Sequence, residues 1–228
     1  MIFDRVLDGL GAAIVDGTLP TGHADSIDGF VARTGASRSI VREAVRVLVG
    51  LGLVSAGRRV GLRVLPAAEW DVLDPRVIGW RLAGPDREVA LAELRALRRA
   101  VEPAAAAAAA AAVVRASEAP RASDATGTDG PEALLAAADR LAAATGPGDE
   151  AAFLQADREL HRRVLELSGN AMYGRLHRVV GRALDDRAGV GPDVHDVALH
   201  VALARAITGG DAIAAAEAMG TIIDRTGA

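Results

Sequence analysis

The chain contains no cysteine and no lysine. Without thiols it can form neither a disulfide framework nor a thiolate metal site, so a bound metal must take histidine and carboxylate ligands. All 26 basic residues are arginine, which we read as a bias of base composition rather than of function. Three Phe, two Trp and one Tyr are too few to fill the interior of 228 residues. Ala, Leu and Val must therefore build the core, a composition that favours helices over sheets. No apolar run reaches the length of a bilayer span, and Asp4, Arg5, Asp8 and Asp16 stand where a signal peptide needs an apolar centre. A soluble, cytoplasmic protein without membrane partners is expected.

The net charge of -4 is unevenly spread. Residues 1–65 hold eight Arg against six acids, +2, and the rest holds 18 Arg against 24 acids, -6. The N-terminal part is thus the expected partner of a polyanion. The length suits two domains, placed at 1–65 and 86–228 with 66–85 as a connecting segment.

Phe3 to Asp16 reads as a first helix, with Val6, Leu10, Ala13 and Ile14 at helical spacing and Gly17 and Pro20 ending it. Ser26 can cap a short second helix running to Thr34. Ser37 can cap a third, in which Val41, Ala44, Val45 and Leu48 fall at i, i+3, i+4 and i+7. Two short β-like runs follow, Leu53 to Ser55 and Val60 to Val64, separated by the hairpin sequence AGRR. Three helices and a two-stranded wing make a winged helix-turn-helix. Pro66 to Ala83 has Trp70, Leu73, Val77 and Trp80 as apolar anchors. From Arg87 onward the pattern is helical: a long helix through a poly-Ala run, in which Pro103 is a kink or the start of a second piece, then helices near 131–144, 149–167, 172–188, 194–208 and 211–224. A polar segment, 117–130, reads as a loop.

On the third helix Arg38, Arg42 and Arg46 advance about 40° per step and share one arc beside the apolar stripe. Such a helix can lie in the major groove with arginines pairing to guanine edges or phosphates, and Ser37 and Ser39 can add phosphate contacts. The plain alternative is a solvated cationic face. Arg58, Arg59 and Gly61 at the wing tip favour the first reading, because glycine lets backbone approach a groove closely.

Residues 36–64, ASRSIVREAVRVLVGLGLV followed by GRRVGLRV, closely resemble the DNA-binding domain of GntR-type bacterial transcription regulators. The resemblance implies Arg38 and Arg42 as main DNA contacts, Ser37 on phosphate and Gly61 in the wing. Where that family usually has Ser-Glu-Arg-Glu-Leu, this chain has Ser26-Ile27-Asp28-Gly29-Phe30, losing a typical DNA-contacting arginine. The stretch EWDVLDPRVIGWRLAG and the helical remainder resemble the FadR subgroup, whose C-terminal part is a six- or seven-helix ligand-sensing bundle called FCD. The fold class expected is therefore mainly α, a winged helix-turn-helix followed by an FCD-like bundle.

Asp157 and His161, i and i+4 on one helix, can present a carboxylate and an imidazole to a single metal, which His200 could complete. A surface pair and a core histidine are the alternative. Resemblance adds that FCD domains commonly use an Asp, a His four residues on and two later histidines. Three of these match; Ile222 stands where the last histidine is usual. Zn²⁺ or Ni²⁺ could bind through the three, or the pocket is metal-free. Arg98 matches an arginine that faces the effector in that family and suits a carboxylate, with a salt bridge to Glu102 as its alternative. The expected protein is a homodimeric repressor that binds a palindromic operator in double-stranded DNA and is released by a small carboxylate such as a sugar acid or organic acid. A metal-dependent enzyme acting through Asp157, His161 and His200 is the rival from another class.

Overall fold

The structure, a computed structural model, describes residues 1–57, 61–118, 130–185 and 194–225. The chain divides into two compact units, Met1–Leu91 and Ala92–Ala228.

In the first unit, α1 (Ile2–Val15), α2 (Ile27–Thr34) and α3 (Arg38–Gly50) surround one apolar core. The capping serines act as the sequence suggests: Ser26 accepts from Gly29 N and Ser37 from Ile40 N. Gly35 closes α2 in the left-handed conformation, φ 65°. Val41, Ala44, Val45 and Leu48 turn inward to meet Leu7, Leu10, Phe30 and Leu53. Burying a side chain such as Leu48 contributes about 1.5–3 kcal/mol, so the stripe fixes which face of α3 is left to solvent.

The wing is three-stranded rather than two-stranded. β2 (Val54–Gly57) pairs antiparallel with β3 (Gly61–Val64), and β1 (Ala24–Asp25) adds to the other edge, giving the order β1-β3-β2. Two residues are too short to display an alternating pattern, which is why β1 was invisible.

Residues 66–85, expected as a connector, carry a 3-10 turn at Ala67–Glu69 and α4 (Pro75–Ala83), which packs on α1. Trp80 is buried over Gly11 and its indole N–H donates to Asp8 at 3.1 Å. Val77 is buried and Trp70 partly so, whereas Leu73, expected as an anchor, is 50% exposed.

The second unit is an all-helical bundle of α5 (Arg87–Glu118), most of which lies in it, with α6 (Pro131–Ala143), α7 (Glu150–Leu167), α8 (Ala171–Arg175), α9 (His177–Asp185), α10 (Val194–Thr208) and α11 (Ala212–Arg225). α5 runs unbroken through Pro103, so no second helix starts there. By length and hydropathy alone α5 could cross a bilayer, contrary to the expectation that no run could. Its Ala106, Ala109 and Ala110 nevertheless pack with Leu134, Leu160, Leu203 and Ile223 in the bundle core. The helix expected over 172–188 is two, divided at Leu176, where the His177 ring takes the Gly174 carbonyl; its last residues, 186–188, lie outside the described part.

Candidate functional site

Two constellations carry chemistry. The first is the outer face of α3. Arg38, Ser39, Arg42, Glu43 and Arg46 are all exposed and line one shallow surface hollow. The buried stripe turns them outward, as an amphipathic helix requires. Arg46 bonds to Glu43 at 2.5 Å, and Arg38 reaches across to Asp28 on α2. Arg42 has no ionic partner among the described residues. Ser37 spends its hydroxyl on the helix cap, at 3.4 Å from Ile40 N.

Arg58 and Arg59 lie outside the described residues. Gly61 has φ +73°, and a Cβ there would stand 2.7 Å from the Asp25 carbonyl oxygen. The close backbone approach that calls for glycine is thus to the protein's own β1 strand.

The second constellation is buried. Asp157 and His161 on α7, His200 on α10, and Arg98 and Glu102 on α5 are each no more than 5% exposed. Asp157 Oδ1 lies 3.5 Å from His161 Nε2 and 3.0 Å from His200 Nε2, and the two rings stand edge to face. One potential ligand atom from each of the three residues falls within 4.8 Å of the others. Spacing suggested the Asp157–His161 pair, and the fold adds His200.

The opposite ring nitrogens are both engaged. His161 Nδ1 contacts Glu102 Oε2, and His200 Nδ1 lies 2.5 Å from the Asp196 carbonyl oxygen. A carbonyl only accepts, so His200 Nδ1 carries a proton and turns Nε2 toward Asp157. Neither Nε2 makes a well-directed hydrogen bond among the described residues. A carboxylate or carbonyl on Nδ1, with Nε2 aimed at a shared point, is the arrangement that prepares histidine for a divalent metal. The donor set, one carboxylate and two imidazoles, suits Zn²⁺ or Ni²⁺. Ile222 is wholly buried among Met219, Ile223 and Leu203 and supplies no ligand.

Glu102 is the residue that sequence reading undervalued. It accepts from Arg98 Nε at 2.5 Å and faces His161 with its other oxygen. Burial opposes its ionisation, but Arg98 and His161 prevail and lower its pKa to about 2. Burial likewise opposes charge on His161; Glu102 and Asp157 outweigh it and raise the imidazole to about 9. Asp157, despite burial, is held well below the ordinary carboxylate range by the two histidines. Arg98 bridges to Glu102, the salt bridge that the sequence offered as the alternative, and its Nη2 is buried with no hydrogen-bond partner among the described residues. The sequence signal was an Arg and a Glu four residues apart on one helix.

A separate surface cleft of about 770 Å³ is bordered by Arg140, Arg158 and Arg162. Arg158 pairs with Asp185, and Arg162 with Glu159 and Glu166.

The FCD domain family model matches residues 93–225. Over 227 residues the chain is 29% identical to the galactonate operon transcriptional repressor of Escherichia coli (strain K12), covering 96% of this chain and 93% of that one. Over 71 residues, 31% of each chain, it is 34% identical to the uncharacterized HTH-type transcriptional regulator YieP of the same organism. Among solved structures, Streptococcus agalactiae GntR matches with a TM-score of 0.52 at 21% identity over 98% of both chains, a likeness of fold.

Proposed function

The chain belongs to the FCD domain family and is a GntR-type DNA-binding transcription regulator, and from that premise we propose that it is a homodimeric repressor of the FadR subgroup, released from its operator by a small carboxylate. The carrying observation is the α3 surface, where three arginines stand exposed beside a stripe that is fully buried. One helix contacts few base pairs, and a two-fold dimer doubles the set and calls for a palindromic site. Ser39 adjoins the arginines and is open to a phosphate, and the wing residues Arg58, Arg59 and Gly61 extend the proposed contact. A cytoplasmic location accords with this role.

The effector belongs in the buried centre. Arg98 Nη2 is a buried donor with no acceptor among the described residues, and a carboxylate oxygen would satisfy it. Asp157, His161 and His200 would hold Zn²⁺ or Ni²⁺, which when bound supplies a Lewis-acidic position for a carboxylate or hydroxyl oxygen. Glu102 keeps the His161 ring oriented, and the Asp196 carbonyl does the same for His200. The relative that represses a galactonate operon makes sugar acids the first ligands to test. A metal-dependent enzyme would need a free general base beside the metal, and Glu102 is already committed to Arg98 and His161.

The effector acts only through unequal affinity for the DNA-competent and DNA-incompetent states. The test is elemental analysis of the purified chain together with fluorescence anisotropy on a selected duplex, titrated with sugar acids before and after chelation. About one Zn or Ni per chain, and release that chelation or His161→Ala abolishes, is the expected result. Release unaffected by Arg98→Ala and His161→Ala together would refute this placement of the effector.

A further inference from the structure

Asp28 is the second residue of α2, a position where an acid ordinarily serves the helix dipole. Its carboxylate is not used for capping. Gly29 N is served by Ser26 Oγ at 3.0 Å, and Ser26 N by Asp25 Oδ1 at 2.7 Å. Asp28 Oδ1 instead reaches ten residues along the chain to Arg38 Nη1. Arg38 is the first residue of α3, where the helix dipole disfavours a cation and where helices of this type approach base edges. Both side chains are more than half exposed, 55% for Arg38 and 67% for Asp28. At such exposure the pair adds little to folding stability, so its consequence lies in what it does to Arg38.

A bond from Nη1 leaves the Nε–Nη2 edge of the guanidinium open. That edge donates two parallel hydrogen bonds, the pattern that matches O6 and N7 of guanine. Asp28 also sets a negative charge beside Arg38, which discourages Arg38 from settling on a phosphate. Glu43 holds Arg46 in the same manner at 2.5 Å, while Arg42 is left without an ionic partner among the described residues. The three arginines of this face are therefore not equivalent.

We propose that Asp28 is a specificity-determining residue: it buttresses Arg38 so that the open edge of the guanidinium reads a guanine instead of binding backbone phosphate. The proposal rests on the reading that α3 lies against base edges, and the experiment separates the two. Full-length wild type, Asp28→Ala, Asp28→Asn, Arg38→Ala and Arg42→Ala would each be selected on the same randomised 30-base-pair duplex library, then titrated on the wild-type consensus and on a scrambled duplex at two salt concentrations. Asp28→Ala and Arg38→Ala should lose preference at the same guanine by about 5- to 150-fold. Asp28→Ala should bind scrambled duplex at least as well as wild type, with a steeper salt dependence, because a freed arginine gains a phosphate contact. Asp28→Asn, which keeps the shape without the charge, should fall between. Wild-type discrimination in Asp28→Ala, alongside its loss in Arg38→Ala, overturns the buttress. So does a loss in Asp28→Ala at a cytosine that Arg38→Ala still reads, which would make Asp28 a direct reader. If Arg42→Ala and Arg38→Ala both keep wild-type preferences, α3 does not read bases at all and the underlying interface fails first.

Discussion

Removing the carboxylate of Glu102 should damage the second unit more than any exposed substitution. Glu102→Ala would leave Arg98, 5% exposed, and a buried His161 without the anion that faces both. Breaking a buried ion pair on one side costs about 3–5 kcal/mol. At about 2–4 °C per kcal/mol for chains of this size, the melting temperature should fall by about 6–20 °C. Differential scanning calorimetry of the full chain is the assay, because two units can unfold as separate transitions. Only the transition of the unit containing α7 and α10 should move. Replacing Arg98 and Glu102 together by leucine should cost less than Glu102→Ala alone, since no arginine is then stranded. A fall below about 2 °C for Glu102→Ala would refute the claim that this carboxylate compensates two buried cations.

The metal-free chain should show a pH optimum set by the same groups. The contribution of Glu102 is complete above its ordinary value of 4.5 and is lost as pH falls toward about 2, while that of His161 is complete below 6.5 and lost as pH rises through about 9. Thermal melts across that range should therefore peak between pH 4.5 and 6.5, and an unchanged melting temperature up to pH 10 would contradict it. Gly61→Ala should destabilise the first unit by more than ~1 kcal/mol, because it forces a side chain onto φ +73° and against the Asp25 carbonyl; a chemical melt within 0.5 kcal/mol (about the scatter of a surface substitution) would show that β1 yields. Gly11→Leu should displace Trp80, whose indole ring lies 2.5 Å from where a Cβ would stand, and a red shift in tryptophan emission reports it.

How much of this was legible in the sequence depended on the range of each interaction. Ser26, Ser37 and the Val41/Ala44/Val45/Leu48 stripe act within one or two helical turns, so caps and buried face were readable residue by residue. The i, i+4 pairs Arg98–Glu102 and Asp157–His161 were readable for the same reason. The Glu102–His161 contact spans 59 residues and depends on how α5 and α7 meet, which no local pattern encodes. Asp28–Arg38 was hidden because it spans ten residues and depends on how α2 packs against α3, which no local pattern encodes. Trp80 was recognised as an anchor, but the notch that receives it is Gly11, and a glycine in an amphipathic helix gives no signal of what it receives. The division at Leu176 fell inside a run whose hydrophobic spacing continues unbroken.

The central claim is that the outward arc of α3 reads base sequence, and Arg42, which has no ionic partner among the described residues, tests it most directly. Equilibrium titration of wild type and Arg42→Ala on a selected duplex and on a scrambled one should give a loss of about 5- to 150-fold on the selected duplex and a much smaller loss on the scrambled one. Equal losses on the two duplexes, or none on either from a variant that melts like wild type, would contradict it.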